Sequence, residues 1–297
     1  MEQHTVQKNW FDKSYRFLMI LPIAFLILCL AYIGIFYSQN NEFILKDVSL
    51  SGGTTITINH AANINFDNLE SQLKLKYSDV STKKLSDLRS GEALALIIES
   101  ATPPEELKLE IEKILGFELT NDNSSTEFSG SSLGQGFYKQ LVTALFISFI
   151  LMSIVIFIMF RTFIPSLAVI FSAFSNIVMP LAIIDYFGVK LSAAGIAAFL
   201  MIIGYSVDTD ILLTSRAIKN HEGHVNTRIY GAFKTGILMT LTALFAVLPA
   251  FFLVTGLPDS FRQIFLILAL GLSSDIINTW LTNAGIIKWY CVKHNIT

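Results

Sequence analysis

"LSAAGIAAFLMIIGYSVDTDILLT", residues 191–214, is long and oily enough to cross a bilayer, yet it carries Asp208 and Asp210. Its reading decides the fold. At 1.5 Å per residue the stretch reaches about 36 Å, more than a hydrocarbon core of ~30 Å requires. As a membrane span it must hold two carboxylates, each costing roughly 2.5–3.5 kcal/mol at the bilayer centre even on insertion scales.

The rest of the chain favours the membrane. Of 297 residues, 53% are hydrophobic and only 15% charged, with a mean hydropathy of +0.57. Soluble domains carry about 25% charged residues. Further apolar runs cover Phe17–Tyr37, Tyr138–Phe160, Pro165–Ile184, Ile229–Val254 and Ile264–Ile287. Each approaches or exceeds the roughly 20 residues a spanning helix needs. The first run is too long for a signal-peptide core and no small-residue cleavage site follows it, so it is expected to be a retained span.

Basic residues set the expected orientation. Lys8, Lys13 and Arg16 precede the first span, and Arg161 separates the second and third. Arg216, Lys219 and Arg228 lie between the fourth and fifth, and Lys288 and Lys293 follow the last. With six alternating spans all fall on one side, whereas the opposite short loops carry only Lys190 and Arg262. The positive-inside rule places both termini in the cytoplasm of a cell membrane. The expected division is 1–16 (cytoplasmic N-terminus), 17–37 (first span), 38–136 (outer domain), 137–287 (five-helix bundle) and 288–297 (cytoplasmic C-terminus).

Residues 38–136 hold fifteen acids and eight bases, which suits a solvated surface and gives no reason to expect a nucleic-acid partner. "TTITIN" alternates with period two, as a strand does. "FDNLESQLKLKY" has helical spacing, and "VSTKKLSDL" and "EALALIIES" read as strands joined at Arg89-Ser90-Gly91. "PPEELKLEIEKILGF" is a helix with prolines and acids at its start and Gly116 at its stop. "STEFSG" completes the order β-α-β-β-α-β, the ferredoxin-like split arrangement. The expected fold is therefore a six-span helical membrane protein with an extracytoplasmic α+β domain between the first and second spans.

Inside the spans, ionisable residues are few. Asp208 and Lys234 both fall about 8–9 Å above the inner edge of the membrane, which makes them an expected ion pair. Asp208 and Asp210 are ~200° apart around a helix and cannot face one neighbour. Asp210 is closer to the interface and within reach of cytoplasmic water, and Lys234 could instead snorkel inward. Asp208 is therefore the candidate for an ion path or a helix-to-helix lock. In the last span Asp275, Asn278, Thr279 and Thr282 form a polar stripe that must face helices or a wet cavity. Small residues from Ser192 to Gly204 make the fourth span closely packable, with the last span against it or against a partner.

Other signals carry less. Cys29 and Cys291 form no metal-spaced pair, and His221 and His224 lack further ligands nearby. No phosphate loop, zinc motif or Ser-His-Asp arrangement is present, so neither cofactor nor catalysis is expected. Gly52 and Gly53 in "LSGGTT" precede no helix and suit a bulge or a close backbone approach.

Nearly the whole chain resembles the SecF family of the Sec protein-export machinery and, more broadly, half of a resistance-nodulation-division (RND) transporter. "VSLSGGTTITI", "GSSLGQGF" and "IIGYSVDTDILLTSR" carry the resemblance. The family's fourth-span aspartate falls on Thr209 by the bacterial SecF pattern and on Asp208 by the SecD pattern, and its fifth-span arginine falls on Lys234. "DTD", "KTG" and "DIINTWLTN" look more like archaeal members. The resemblance implies an accessory subunit acting with SecD at the translocon channel, assisting preproteins across the lipid bilayer, with these intramembrane groups in ion coupling. The rival reading is an RND-type transporter of a lipid or small solute that works as a homo-oligomer.

Overall fold

The computed structural model describes residues 10–59, 64–77, 80–86, 93–219, 223–253 and 259–296. Six helices in it are long and apolar enough to span a membrane. They are α1 (Trp10–Asn40), α5 (Ser131–Phe160), α6 (Phe163–Tyr186), α7 (Ala193–Ile218), α8 (Val225–Leu253) and a last rod. The rod joins α9 (Asp259–Ile277), a π-helical turn (Asn278–Asn283) and α10 (Ala284–Lys293). Most helices overrun the apolar runs by one or two turns, because helices continue into the polar interface where their last backbone groups meet water. The helix α6, α7 and the last rod form the buried centre, while α1, α5 and α8 show most of their length to the outside.

Between α1 and α5 sits a four-stranded β-sheet domain. The short helix α2 (Val48–Ser51) leads into β1 (Gly53–Asn59), then α3 (Phe66–Lys76), β2 (Ser81–Ser86), β3 (Ala93–Ser100), α4 (Pro104–Leu115) and β4 (Ser124–Ser129). The strand order is β2-β3-β1-β4 and every neighbouring pair is antiparallel. One side chain in two points to the helices, so Ile56, Ile58, Leu96 and Ile98 close a core with Leu69, Leu73, Leu107 and Ile111. Asn65 caps α3, and Gly116 ends α4 in the left-handed conformation, where glycine is free of the Cβ penalty. The Arg89-Ser90-Gly91 turn and His221 lie outside the described residues.

The other face of the sheet looks onto the bundle. Leu191 N–H donates to Leu45 O (2.6 Å), Asp47 N–H to Leu191 O (3.0 Å) and Ala193 N–H to Ser49 Oγ (3.0 Å). Glu99 of β3 meets Lys190 just before α7, at 2.9 Å. Gly52 and Gly53 are part of the same join. A Cβ on Gly52 would lie 2.3 Å from Ser131 Cα, and one on Gly53 2.5 Å from Ser100 O. Gly134 returns the contact, since its Cβ would come 2.8 Å from Gly52 N. The two glycine-bearing stretches on either side of the domain therefore touch each other, and both need glycine to do so.

Candidate functional site

The centre of the bundle is polar. Asp275 of α9 is fully buried and four donors surround it. Its Oδ1 accepts from Ser206 Oγ (2.7 Å), Asn176 Nδ2 (3.0 Å) and Thr279 Oγ1 (3.1 Å), and its Oδ2 accepts from Thr209 Oγ1 (3.0 Å). Asn278 Nδ2 donates to Asn176 Oδ1 and extends the network to α6. Asp210 of α7 is equally buried. Its Oδ1 accepts from Asn283 Nδ2 (2.7 Å) and from Thr279 Oγ1 (2.9 Å). Its Oδ2 has no partner among the described residues, nor does Asn283 Oδ1.

Thr279 stands between the two carboxylates, but its hydroxyl has one hydrogen and cannot serve both at once. No basic side chain is bonded to either carboxylate among the described residues. Two carboxylates in a dry core repel each other, and they are tolerated there through protonation, an ion or water. The π-helical turn contributes directly. Wider than an α-turn, it carries both Thr279 and Asn283 to Asp210 while Asn278 reaches α6, and such turns recur at functional positions.

Two expectations are corrected. Asp208 is exposed on the side of α7 that also carries Met201 and Gly204, and it forms no ion pair with Lys234 among the described residues. Lys234 is exposed on α8, with its ammonium 4.9 Å from the centre of the Tyr230 ring one turn toward the helix start. Asp210, expected to reach water, is sealed inside. Equal depth brought Asp208 and Lys234 to one level; helical phase keeps them apart, because the inward side of α7 is Ser206, Thr209, Asp210 and Leu213. Asp275, Asn278, Thr279 and Thr282 are all buried, each at most 1% exposed. Cys29 and Cys291 are free and buried, and among the described residues no group of three or more His, Cys, Asp or Glu could hold a metal.

Outside the membrane, Asp47 sits at the join between sheet and bundle. Burial pushes its carboxyl up to about 6, and nearby Glu99 adds to the rise. The hydroxyl and N–H of Ser49, which donate to Asp47 Oδ1 at 2.5 and 2.8 Å, oppose it.

The comparisons with known proteins agree over almost the full length. Residues 112–293 match the sequence profile of "Protein export membrane protein SecD/SecF, C-terminal". The SecF protein of Methanocaldococcus jannaschii is 35% identical over 289 residues, 95% of this chain and 98% of that one. The chain belongs to the SecD/SecF family. The SecF protein of Methanothermobacter thermautotrophicus is 36% identical over 282 residues, covering 94% and 93% of the two chains. This SecD/SecF family member shares its fold with the crystal structure of SecDF from Thermus thermophilus, at a TM-score of 0.73 and 20% identity. The match covers 95% of this chain but 38% of the SecDF chain, so the chain spans about two fifths of that structure. It is a SecF-like membrane protein of the Sec pathway, with methanogen relatives.

One spacing in the sequence of this SecD/SecF family member marks the buried side of α7. Ser206, Thr209 and Asp210 repeat at i, i+3, i+4, the spacing that also marks Asp275, Asn278 and Thr279. Both stripes are the buried ones. Asn176, in the third span beside Ser172 and Ser175, is the residue that joins them, bonding Ser206, Asp275 and Asn278.

Proposed function

We propose that the chain is the SecF-type accessory subunit of the Sec translocase, that it works with a SecD-type chain to assist preproteins, and that ion movement through Asp210 and Asp275 drives it. The observation that carries the ion coupling is the pair of fully buried carboxylates that share one hydroxyl and have no basic partner among the described residues. Curated relatives of matching length carry the SecF name, which supports a separate SecD-type chain. Asp208 supports the same reading. A carboxylate exposed on a spanning helix is costly against lipid, so that face of α7 meets the partner's helices rather than acyl chains. Lys234, turned toward the inner interface, belongs to the same face-to-face arrangement or snorkels.

We also infer that the outer domain is ferredoxin-like, supported by its strand order and two same-face helices, and that both termini are cytoplasmic, supported by the basic loops. The divisions at residues 16/17, 37/38, 136/137 and 287/288 follow from that orientation. Gly52 and Gly53 fix the domain to the bundle. Two measurements test the reading. The tagged chain, extracted gently from native membranes, brings a SecD-type chain with it; recovery of the chain only with itself overturns the subunit reading. Asp210→Asn lowers preprotein export in cells that depend on this chain while the complex still forms. Export at the unaltered rate overturns the coupling.

A further inference from the structure

A cavity of about 360 Å³ opens where the outer ends of the spans meet the sheet. It lies between Phe187 and Val189, which link α6 to α7, Phe251 in the last turn of α8, and Arg262 and Leu266 at the start of α9, with Lys83 of β2 beside them. Among the described residues its wall carries two cations and no carboxylate. Lys83 meets Glu99 at 3.2 Å, and the same carboxylate holds Lys190 at 2.9 Å, so Arg262 is the cation of this wall without an ion pair among the described residues. Arg262 stands over the Phe251 ring, with its guanidinium carbon 4.9 Å from the ring centre. This is one of the two bases in the short loops on that side of the membrane, and Lys190, the other, is already paired.

Height in the membrane identifies the ligand. Tyr186 and Phe187 are 71% and 73% exposed at the end of α6, as aromatic side chains are at the headgroup level. A guanidinium there, with a planar fork of donors matched to phosphate oxygens, is placed where lipid phosphates lie. Phe187, Val189 and Leu266 give the cavity an apolar side for glycerol and the first methylenes. We propose that this cavity binds the phosphate headgroup of an anionic membrane lipid, held by Arg262 with Lys83 in support, and that the lipid bridges the outer domain and the bundle. The outer domain as a whole is acidic, so the Arg262 guanidinium in an apolar-sided cavity is selective for one lipid at one place rather than for an anionic surface at large.

The full chain in detergent tests this by native mass spectrometry, with phosphatidylglycerol, phosphatidylcholine or inorganic phosphate added. The unaltered chain is expected to retain one phosphatidylglycerol in preference to phosphatidylcholine. Loss of one interfacial cation in Arg262→Gln should weaken retention about fivefold. Arg262→Lys should keep most of it. Val189→Trp, which fills the apolar side and leaves both cations in place, should also expel the lipid. Lys108→Gln, on α4, should change nothing. Equal retention by Arg262→Gln at an unaltered melting temperature overturns the site. If Arg262→Gln does not fold, undiminished binding by Val189→Trp overturns it alone. Protection by millimolar inorganic phosphate equal to that by phosphatidylglycerol overturns the lipid as the ligand.

Discussion

At Asp210 one carboxylate oxygen is bonded twice and the other not at all, and that asymmetry sets what an amide would do there. Asn at 210 keeps the acceptor and turns its new donor toward the bare Asn283 Oδ1, so the fold should be nearly indifferent while the titratable group is lost. Asp275 is different, because Ser206, Asn176 and Thr209 converge on it besides the Thr279 hydroxyl it shares with Asp210, and hydrogen bonds to a charged acceptor are the strong ones. Asp275→Asn should cost about 1–3 kcal/mol of stability, read as an earlier melting transition in detergent, and Asp210→Asn much less. Equal losses would mean that both carboxylates are held alike. Asp47 gives a pH effect outside the membrane. Its folded-state value of about 6 lies above the ordinary carboxylate value, so the folded state binds the extra proton between roughly pH 4 and 6. The stabilisation is complete at low pH and is lost as pH rises through 6, by about 1–3 kcal/mol. Asp47→Asn should flatten that part of the melting-temperature profile, and a profile unchanged by the substitution would remove Asp47 as its cause. At this scale the sequence showed which residues are unusual in a membrane but not which way they face. Asp208 and Asp210 differ by two positions, and only the packing of α7 against α6 and α9 decides which of them is dry.

Elements were far more legible than side-chain directions. Hydropathy marks six spans because the bilayer demands length and apolarity from each, and period-two alternation marks the strands of the outer domain because one face of its sheet is packed on helices. The π-helical turn at 278–283 was not legible, since it conserves the apolar pattern and changes only the winding. Before that turn α7 and α9 meet closely, and Gly271 makes the meeting possible. A Cβ on Gly271 would lie 2.3 Å from Ile202 Cδ1 and 2.7 Å from its Cγ1, with Ile202 itself only 2% exposed. One turn further along both helices come Asp275 and Ser206, joined at 2.7 Å. Gly271→Ala should therefore push α9 off α7 and stretch that bond, at a cost of about 1–3 kcal/mol and with a fall in export. Ile202→Val removes the methyl that is struck first, so the double variant should regain part of both losses. Strictly additive losses would show that the Gly271–Ile202 contact does not set the spacing of the carboxylate site.

For the whole molecule, the outer domain and the bundle are joined by backbone as well as by side chains. The linker after α1 pairs with residue 191, Glu99 reaches Lys190, and Gly52 lies against the start of α5. The two bodies should therefore be read from one side of the membrane at the outer ends of α6 and α7, whichever side that is. Arrangement across the bilayer follows from charge rather than from packing, because the energy that orients spans acts on basic loops during insertion. Arg161, the Arg216–Arg228 segment and the Lys288–Lys293 end all lie at the helix ends away from the sheet domain. In a Cys29→Ala, Cys291→Ala background, single cysteines at Asp122 and Lys219 report the two sides, since both positions are exposed and neither lies in the middle of a span. Position 122 should react with a membrane-impermeant maleimide in intact cells, and position 219 only after the membrane is opened. Reaction of 219 alone in intact cells would invert the molecule and put the sheet domain inside. Reaction of both would mean that an even number of helices crosses between them, whereas α5, α6 and α7 are three and the alternation of basic and basic-poor loops requires all of them to cross.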